Sequence, residues 1–199
     1  MLRLLGRKTS GNVQKVLWLL EELGVNYIRE DYGRQFGNTG DATYLQMNPT
    51  GKVPTLIDGE HIIWESNTIL RYLCLKQNSD LIPGDLASRA KCETWMDWLL
   101  ASLNSHYLNV FKESKKAEED RTEIDAMGSA LIDQLSILDK HLEENEWIGG
   151  DFFSMADIAL GPICNRCLGF PINLPELVST RRWHDLISER TAYQKVVAA

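Results

Sequence analysis

No run of about 18 apolar residues occurs anywhere in the 199-residue sequence, so no segment reads as a membrane-spanning helix. Nor is there a basic run. The formal charge is −7, which argues against nucleic acid and anionic membrane surfaces as partners. The N-terminus lacks a signal-peptide pattern, because Met1-Leu2-Arg3-Leu4-Leu5 runs straight into a strand, and the expected location is the cytoplasm. Cysteine is scarce: Cys74, Cys92, Cys164 and Cys167 are expected there as free packing thiols rather than disulfides. Cys164-Asn165-Arg166-Cys167 lies in an apolar helical pattern, without a second cysteine pair or a nearby histidine, so it reads as packing. His61, His106, His141 and His184 are scattered and form no ligand set, and no metal site is expected. Internal repeats and low-complexity segments are also missing.

What is present is an ordinary globular composition, 44% hydrophobic and 25% charged, with ample material for a core. The charge is unevenly placed. Residues 1–78 carry 9 basic and 8 acidic side chains, whereas residues 79–199 carry 12 and 20. Residues 2–5 read as a buried strand. Val13, Val16, Leu17, Leu20 and Leu23 keep helical spacing, with Ser10 or Asn12 available as a cap and Gly24 as a stop. A second strand over 26–31, a polar glycine-rich segment over 33–41 and a short helix over 42–47 follow. Two strands, 53–57 and 62–64, flank Asp58-Gly59, a strong hairpin signal, and lead into a helix over 66–76. The order β-α-β-α-β-β-α implies a mixed four-stranded sheet covered by helices. No convincing strand comes later. Helices are expected over 88–115, 124–145, 154–168, 176–189 and 191–197, which places an all-α domain at 88–199 after a linker at 79–87.

One stretch invites a ligand. Thr50-Gly51-Lys52-Val53-Pro54-Thr55 starts a strand with a proline, which cannot donate to a sheet ladder and belongs at a strand start, edge or bulge. A cis bond there would expose the Val53 backbone. Glu65-Ser66 then opens a helix, with Ser66 expected as the N-cap and free N–H groups available to a carboxylate. These features describe half a site for a small, extended, charged peptide.

With Ser154-Met155-Ala156-Asp157, a capping box opening an apolar helix, the pattern becomes specific. In this order and spacing the chain resembles a cytosolic glutathione S-transferase, and residues 6–18 resemble the bacterial theta-like, serine-type group. The resemblance covers essentially the whole chain. It implies a thioredoxin-like, glutathione-binding domain at 1–78 and a helical domain at 88–199 that lines the electrophile site. Val53, before Pro54, would pair its backbone with the cysteinyl unit of glutathione, and Glu65 and Ser66 would take the γ-glutamyl end. Lys52, with Gln35 or Arg34, would meet the glycyl carboxylate. Asn67 stands where many relatives carry an arginine. Ser10, Asn12 or Thr9 would donate to the sulfur, and the residues leave that choice open. The turn before the first helix holds neither tyrosine nor cysteine, which disfavours tyrosine-type and disulfide chemistry. Arg7, Trp98, His106, Tyr107 and Arg166 are implied second-substrate contacts. The implied activity is conjugation of glutathione, as cosubstrate and without metal, to a largely apolar electrophile by a homodimer. The rival readings are a non-catalytic binding protein of the same fold and a glutathione-dependent peroxidase.

Overall fold

Alternation in the first strand sets the inside of the sheet. Leu2 and Leu4 are buried on one face while Arg3 between them is exposed; Leu5, on the Arg3 face, is buried as well, so only the start of that face meets solvent. In the computed structural model, which describes residues 1–198, this strand is β1 (Leu2–Leu5) of a four-stranded sheet. The other strands are β2 (Tyr27–Glu30), β3 (Thr55–Asp58) and β4 (His61–Trp64), in the order β2-β1-β3-β4. β1 is parallel to β2 and antiparallel to β3, with Leu4 opposite Arg29 and Leu56; β4 returns antiparallel along β3. The hairpin turns at Gly59, whose φ of 61° is left-handed and suits glycine.

Helix α1 (Gly11–Glu22) buries Val13, Val16, Leu17, Trp18, Leu19 and Leu20, and packs against α3 (Ser66–Lys76), which buries Ile69, Leu70 and Leu73. Each such side chain removed from water contributes roughly 1.5–3 kcal/mol. A short α2 (Ala42–Met47) lies between β2 and β3 and buries Tyr44.

The chain falls into two units, and their limits differ from the sequence expectation at the C-terminal end. Met1–Ile82 and the chain from Arg190 onward form one unit, and Pro83–Glu189 the other. The last segment was expected with the helices of 88–199. It returns to the first unit because α1 offers it partners. Arg190 clamps Glu22 with bonds of 2.7 and 2.8 Å, Lys195 reaches Glu21, and Tyr193 of α9 (Thr191–Tyr193) stands edge-on to Trp18 at 4.9 Å.

The second unit is helical. α4 (Leu86–Trp98) starts on Asp85, whose carboxylate accepts the Ser88 N–H at 2.8 Å. The single helix expected over 88–115 is interrupted by a π-helical turn, Leu99–Leu103, before α5 (Asn104–Glu113). Leu99, Leu103 and Tyr107, each four residues apart, are all buried. α6 (Ile124–Glu144) buries Leu131, Leu135, Leu138 and Leu142. α7 (Met155–Leu168) is enclosed almost throughout, and α8 (Val178–Ser188) covers Trp183.

At the start of α7 the expected capping box is present. Ser154 Oγ accepts the Ala156 N–H, and Asp157 accepts the Ser154 N–H at 2.8 Å. Asp157 also accepts from Ile148 N at 2.9 Å and from Trp183 Nε1 at 2.8 Å. Burial pushes its carboxyl up to about 6, while those donors pull it back.

Candidate active site

The turn that leaves β1 can close only because residue 6 is glycine. A Cβ there would lie 2.5 Å from Val13 Cγ2 and 3.3 Å from the Val53 Cβ. Gly6 therefore lets the turn 6–10 lie directly against the loop that carries Val53. The turn is pinned on its other side by Gly6 N–H to Glu30 C=O at 2.8 Å and Arg7 N–H to Tyr32 C=O at 3.1 Å. Ser10 follows as the N-cap residue of α1, with extended backbone, and only 8% of its surface is exposed. Its side chain makes no capping hydrogen bond. The ordinary structural use of a serine at this position is thus unfilled. Asn12, half-buried, lies in the first turn of the same helix.

The Val53-Pro54 peptide bond is cis, and Pro54 is buried at the mouth of β3. Two residues not singled out in the sequence hold this loop. The buried Asn48 donates to the Lys52 carbonyl at 2.9 Å and to Thr55 Oγ1 at 3.1 Å, and its own Oδ1 accepts the Thr50 N–H and hydroxyl. Tyr44 donates its hydroxyl to the same Lys52 carbonyl at 2.6 Å. Burial pushes the Tyr44 phenol up, so it remains a donor. The signal was Asn48-Pro49-Thr50-Gly51: an asparagine that bonds the backbone two residues on, followed by turn formers.

Gly33 closes the third side. At φ +85° a Cβ there would meet Arg7 Nη1 at 3.0 Å and Val53 Cγ1 at 3.5 Å, so the 33–40 loop, Arg7 and Val53 converge. Asn38 holds this loop by accepting the Gly33 N–H at 3.0 Å. Lys52, Arg34 and Gln35 are exposed, the latter two on a 3₁₀ turn, Arg34–Phe36.

At the opening of α3 the structure corrects one detail. Glu65, not Ser66, is the N-cap residue, and Ser66 is the first residue of the helix. Glu65 has φ 68° and ψ 115°, a left-handed backbone that a non-glycine residue adopts at a cost of about 1–3 kcal/mol. Its carboxylate is exposed and makes no capping bond. Ser66, 3% exposed, donates its hydroxyl to Asn12 Oδ1 at 3.3 Å. The starts of α1 and α3, which carry all of Ser10, Asn12, Glu65 and Ser66, therefore meet. The first turn of α3 contains no acidic side chain.

The remaining expected residues are distributed more widely. In the second unit, Arg166 donates to the Tyr107 hydroxyl at 3.4 Å, and the Tyr107 ring lies 5.8 Å from Phe111 and 5.9 Å from Phe170. Trp98 is paired instead with Trp95, edge-on at 5.0 Å, and Trp95 lies 4.4 Å from the His141 ring. His106 is half-buried on α5. Arg7 belongs to the first unit.

The protein's own thiols are poor nucleophiles. All four cysteines are buried, and burial pushes Cys74 up to about 12 and raises Cys92 and Cys167. Among the described residues no group of three or more His, Cys, Asp or Glu side chains is placed to hold a metal ion.

Residues 2–74 match the family model for the glutathione S-transferase N-terminal domain, and residues 94–190 that for its C-terminal domain. Glutathione S-transferase GstB of Escherichia coli is 36% identical over 99% of this chain and 98% of its own length. Glutathione S-transferase F10 of Arabidopsis thaliana is 31% identical over 90% of this chain and 88% of its own. Among solved structures, a theta class glutathione S-transferase from Xanthomonas axonopodis pv. citri, with glutathione bound, superposes with a TM-score of 0.94. It is 34% identical and covers 100% of this chain and 97% of its own. With both domain models matched and full-length relatives above a third identical, the chain belongs to the glutathione S-transferase family.

Proposed function

We propose that this protein activates the thiol of glutathione for attack on electrophilic, largely apolar second substrates. The observation that carries the reading is the convergence of three features in the first unit: Val53-Pro54, the Glu65-Ser66 helix start, and the Ser10–Asn12 turn. The glutathione-bound relative supports the same assignment.

The proposed roles follow from the chemistry of each group. The Val53 backbone offers an edge for strand-like pairing with the cysteinyl unit. Glu65 suits the γ-glutamyl ammonium, and Ser66 with the helix-start amides of α3 suits its carboxylate. Lys52, with Arg34 or Gln35, is the proposed partner of the glycyl carboxylate. A free thiol has a pKa near 8.5, so only a few per cent is ionised at neutral pH, and each unit of depression requires about 1.4 kcal/mol. Ser10 and Asn12, at the start of α1, are the proposed donors to the sulfur; a hydrogen bond to the thiolate and the helix dipole both favour the charged form. Because the nucleophile belongs to glutathione, the reaction needs no enzyme-bound intermediate. Tyr107 and Arg166, flanked by Phe111 and Phe170, are the best-supported of the proposed second-substrate contacts, since their side chains meet. Trp98, His106 and Arg7 are secondary. A homodimer and a cytoplasmic location complete the reading.

Retention on immobilised glutathione, together with conjugation of a chromogenic aryl halide, tests it. Expected are retention and turnover by the unmutated protein, and loss of turnover in Ser10→Ala or Asn12→Ala. Retention without turnover would sink the transferase reading, and full activity in both variants would sink the donor assignment.

A further inference from the structure

A backbone carbonyl can only accept hydrogen bonds, and that of Lys52 accepts two. The Tyr44 hydroxyl donates to it at 2.6 Å and Asn48 Nδ2 at 2.9 Å. Tyr44 has a single phenolic proton, which that bond uses. Its 2.9 Å contact with Thr55 Oγ1 is therefore made by the Thr55 hydroxyl donating to the phenol oxygen. Thr55 Oγ1 in turn accepts the second N–H of Asn48 at 3.1 Å. The Asn48 amide cannot be turned round, because its Oδ1 accepts the Thr50 N–H at 3.1 Å and a backbone N–H can only donate. Asn48, Thr55, Tyr44 and the Lys52 carbonyl thus close a cycle with one proton order. The three residues whose side chains form it are at most 2% exposed, and Tyr32 stacks on the Tyr44 ring at 5.2 Å.

The consequence falls on the next peptide unit. Only the Val53-Pro54 bond is cis, so in the trans unit before it the Val53 N–H points opposite to the Lys52 carbonyl. With that carbonyl drawn into the cycle, the Val53 N–H faces away from it. Among the described residues this N–H has no hydrogen-bond acceptor.

On the glutathione reading above, we propose that Tyr44 and Thr55 are positioning residues for glutathione. Through the Lys52 carbonyl they fix the plane of the 52–53 peptide and so aim the Val53 N–H at the backbone of the cysteinyl unit. Both side chains are enclosed and act only through the loop. Thr55 acts at one further remove, since its proton holds the Tyr44 oxygen in line. The aimed contact is made to the tripeptide backbone and is the same before and during attack by the sulfur. It therefore belongs to binding, and ionisation of the thiol is left to the start of α1.

The test uses the full chain and three readouts: steady-state kinetics with glutathione varied, calorimetric binding of S-methylglutathione, and the Val53 amide proton resonance of the isotope-labelled protein. Tyr44→Phe and Thr55→Val are each expected to raise the KM for glutathione and the Kd of S-methylglutathione about 3- to 10-fold, the worth of one hydrogen bond, while kcat changes by less than about twofold. Thr55→Ser keeps the hydroxyl and should restore both constants. In the double variant Tyr44→Phe/Thr55→Val the loss should fall short of the product of the single losses, because both hydroxyls act through one carbonyl. S-methylglutathione should move the Val53 amide proton downfield in the unmutated protein, and by less in Tyr44→Phe. The proposal is overturned if KM, Kd and the Val53 shift are unchanged in Tyr44→Phe, a variant that keeps the aromatic ring and decides the matter even where Thr55→Val fails to fold. It is equally overturned if kcat falls at unchanged KM, or if KM rises while the Val53 shift keeps its full size, the result expected of residues that only support the fold. An unmutated protein that binds neither ligand is a different result, since it overturns the functional reading itself.

Discussion

Two helices in this protein begin with a serine and an acid, and they use the pair in opposite ways. At α7 everything is consumed internally. Ser154 accepts from its own helix, and Asp157 collects the Ser154 N–H, the Ile148 N–H and the Trp183 indole N–H in a fully buried node. At α3 the acid faces water from a left-handed backbone and makes no capping bond, while the serine turns to another helix. A self-satisfied start stabilises the fold and offers nothing to a ligand. A start whose acid faces water and makes no capping bond leaves that carboxylate available for binding. From residue types alone the two look alike, and only the geometry separates them.

The contrast can be broken most severely at Asp157. Asp157→Ala takes the acceptor from four buried donors, the Ser154 hydroxyl among them, and should cost about 3–5 kcal/mol in urea unfolding, with little effect on glutathione KM in the protein that remains folded. A smaller effect concerns its titration. The folded carboxyl is raised from 3.8 to about 6, so its contribution is fully present below the lower value and is lost as pH rises through the upper one. Relative to Asp157→Asn, which does not titrate, the unmutated protein should lose on the order of 2–3 kcal/mol between about pH 4 and 6, then stay level above about pH 7. A difference that grows with pH would contradict the burial argument. On the binding side, Asn48→Ala removes one of the two donors to the Lys52 carbonyl and the acceptor of the Thr50 N–H and hydroxyl, loosening the loop that carries Val53. It should cost about 1–3 kcal/mol of stability and raise glutathione KM. The smallest change in stability has the opposite sign: Glu65→Gly relieves the left-handed backbone and should gain about 1 kcal/mol in unfolding while raising glutathione KM about tenfold. A less stable Glu65→Gly protein would mean that the φ of residue 65 carries no strain.

Much of this was legible because it is local. The short apolar run of residues 2–5, the apolar spacing of α1, Asp58-Gly59 and the Ser154–Asp157 spacing each encode one element within a few residues. The pairing of Val53-Pro54 with Glu65-Ser66 was equally visible as an ordered motif. What escaped depends on distant partners. The return of Arg190, Tyr193 and Lys195 to α1 is specified by Glu21, Glu22 and Trp18, more than a hundred residues upstream, and no propensity within 190–198 reports it. The π turn at Leu99–Leu103 has no signal in the apolar spacing, which reads as one continuous helix. Ser66 looked like a cap because serine usually is one; the direction of its hydroxyl is a tertiary fact.

The central claim is that the meeting of the α1 and α3 starts ionises the thiol of bound glutathione. The most direct measurement is a pH titration of that thiol by ultraviolet difference absorbance, in the unmutated protein and in Ser10→Ala and Asn12→Ala. The account predicts a bound thiol that is largely ionised at neutral pH, at least about one unit below the free value near 8.5, and that moves back toward it in one or both variants. A bound thiol that titrates like free glutathione in all three proteins would contradict it.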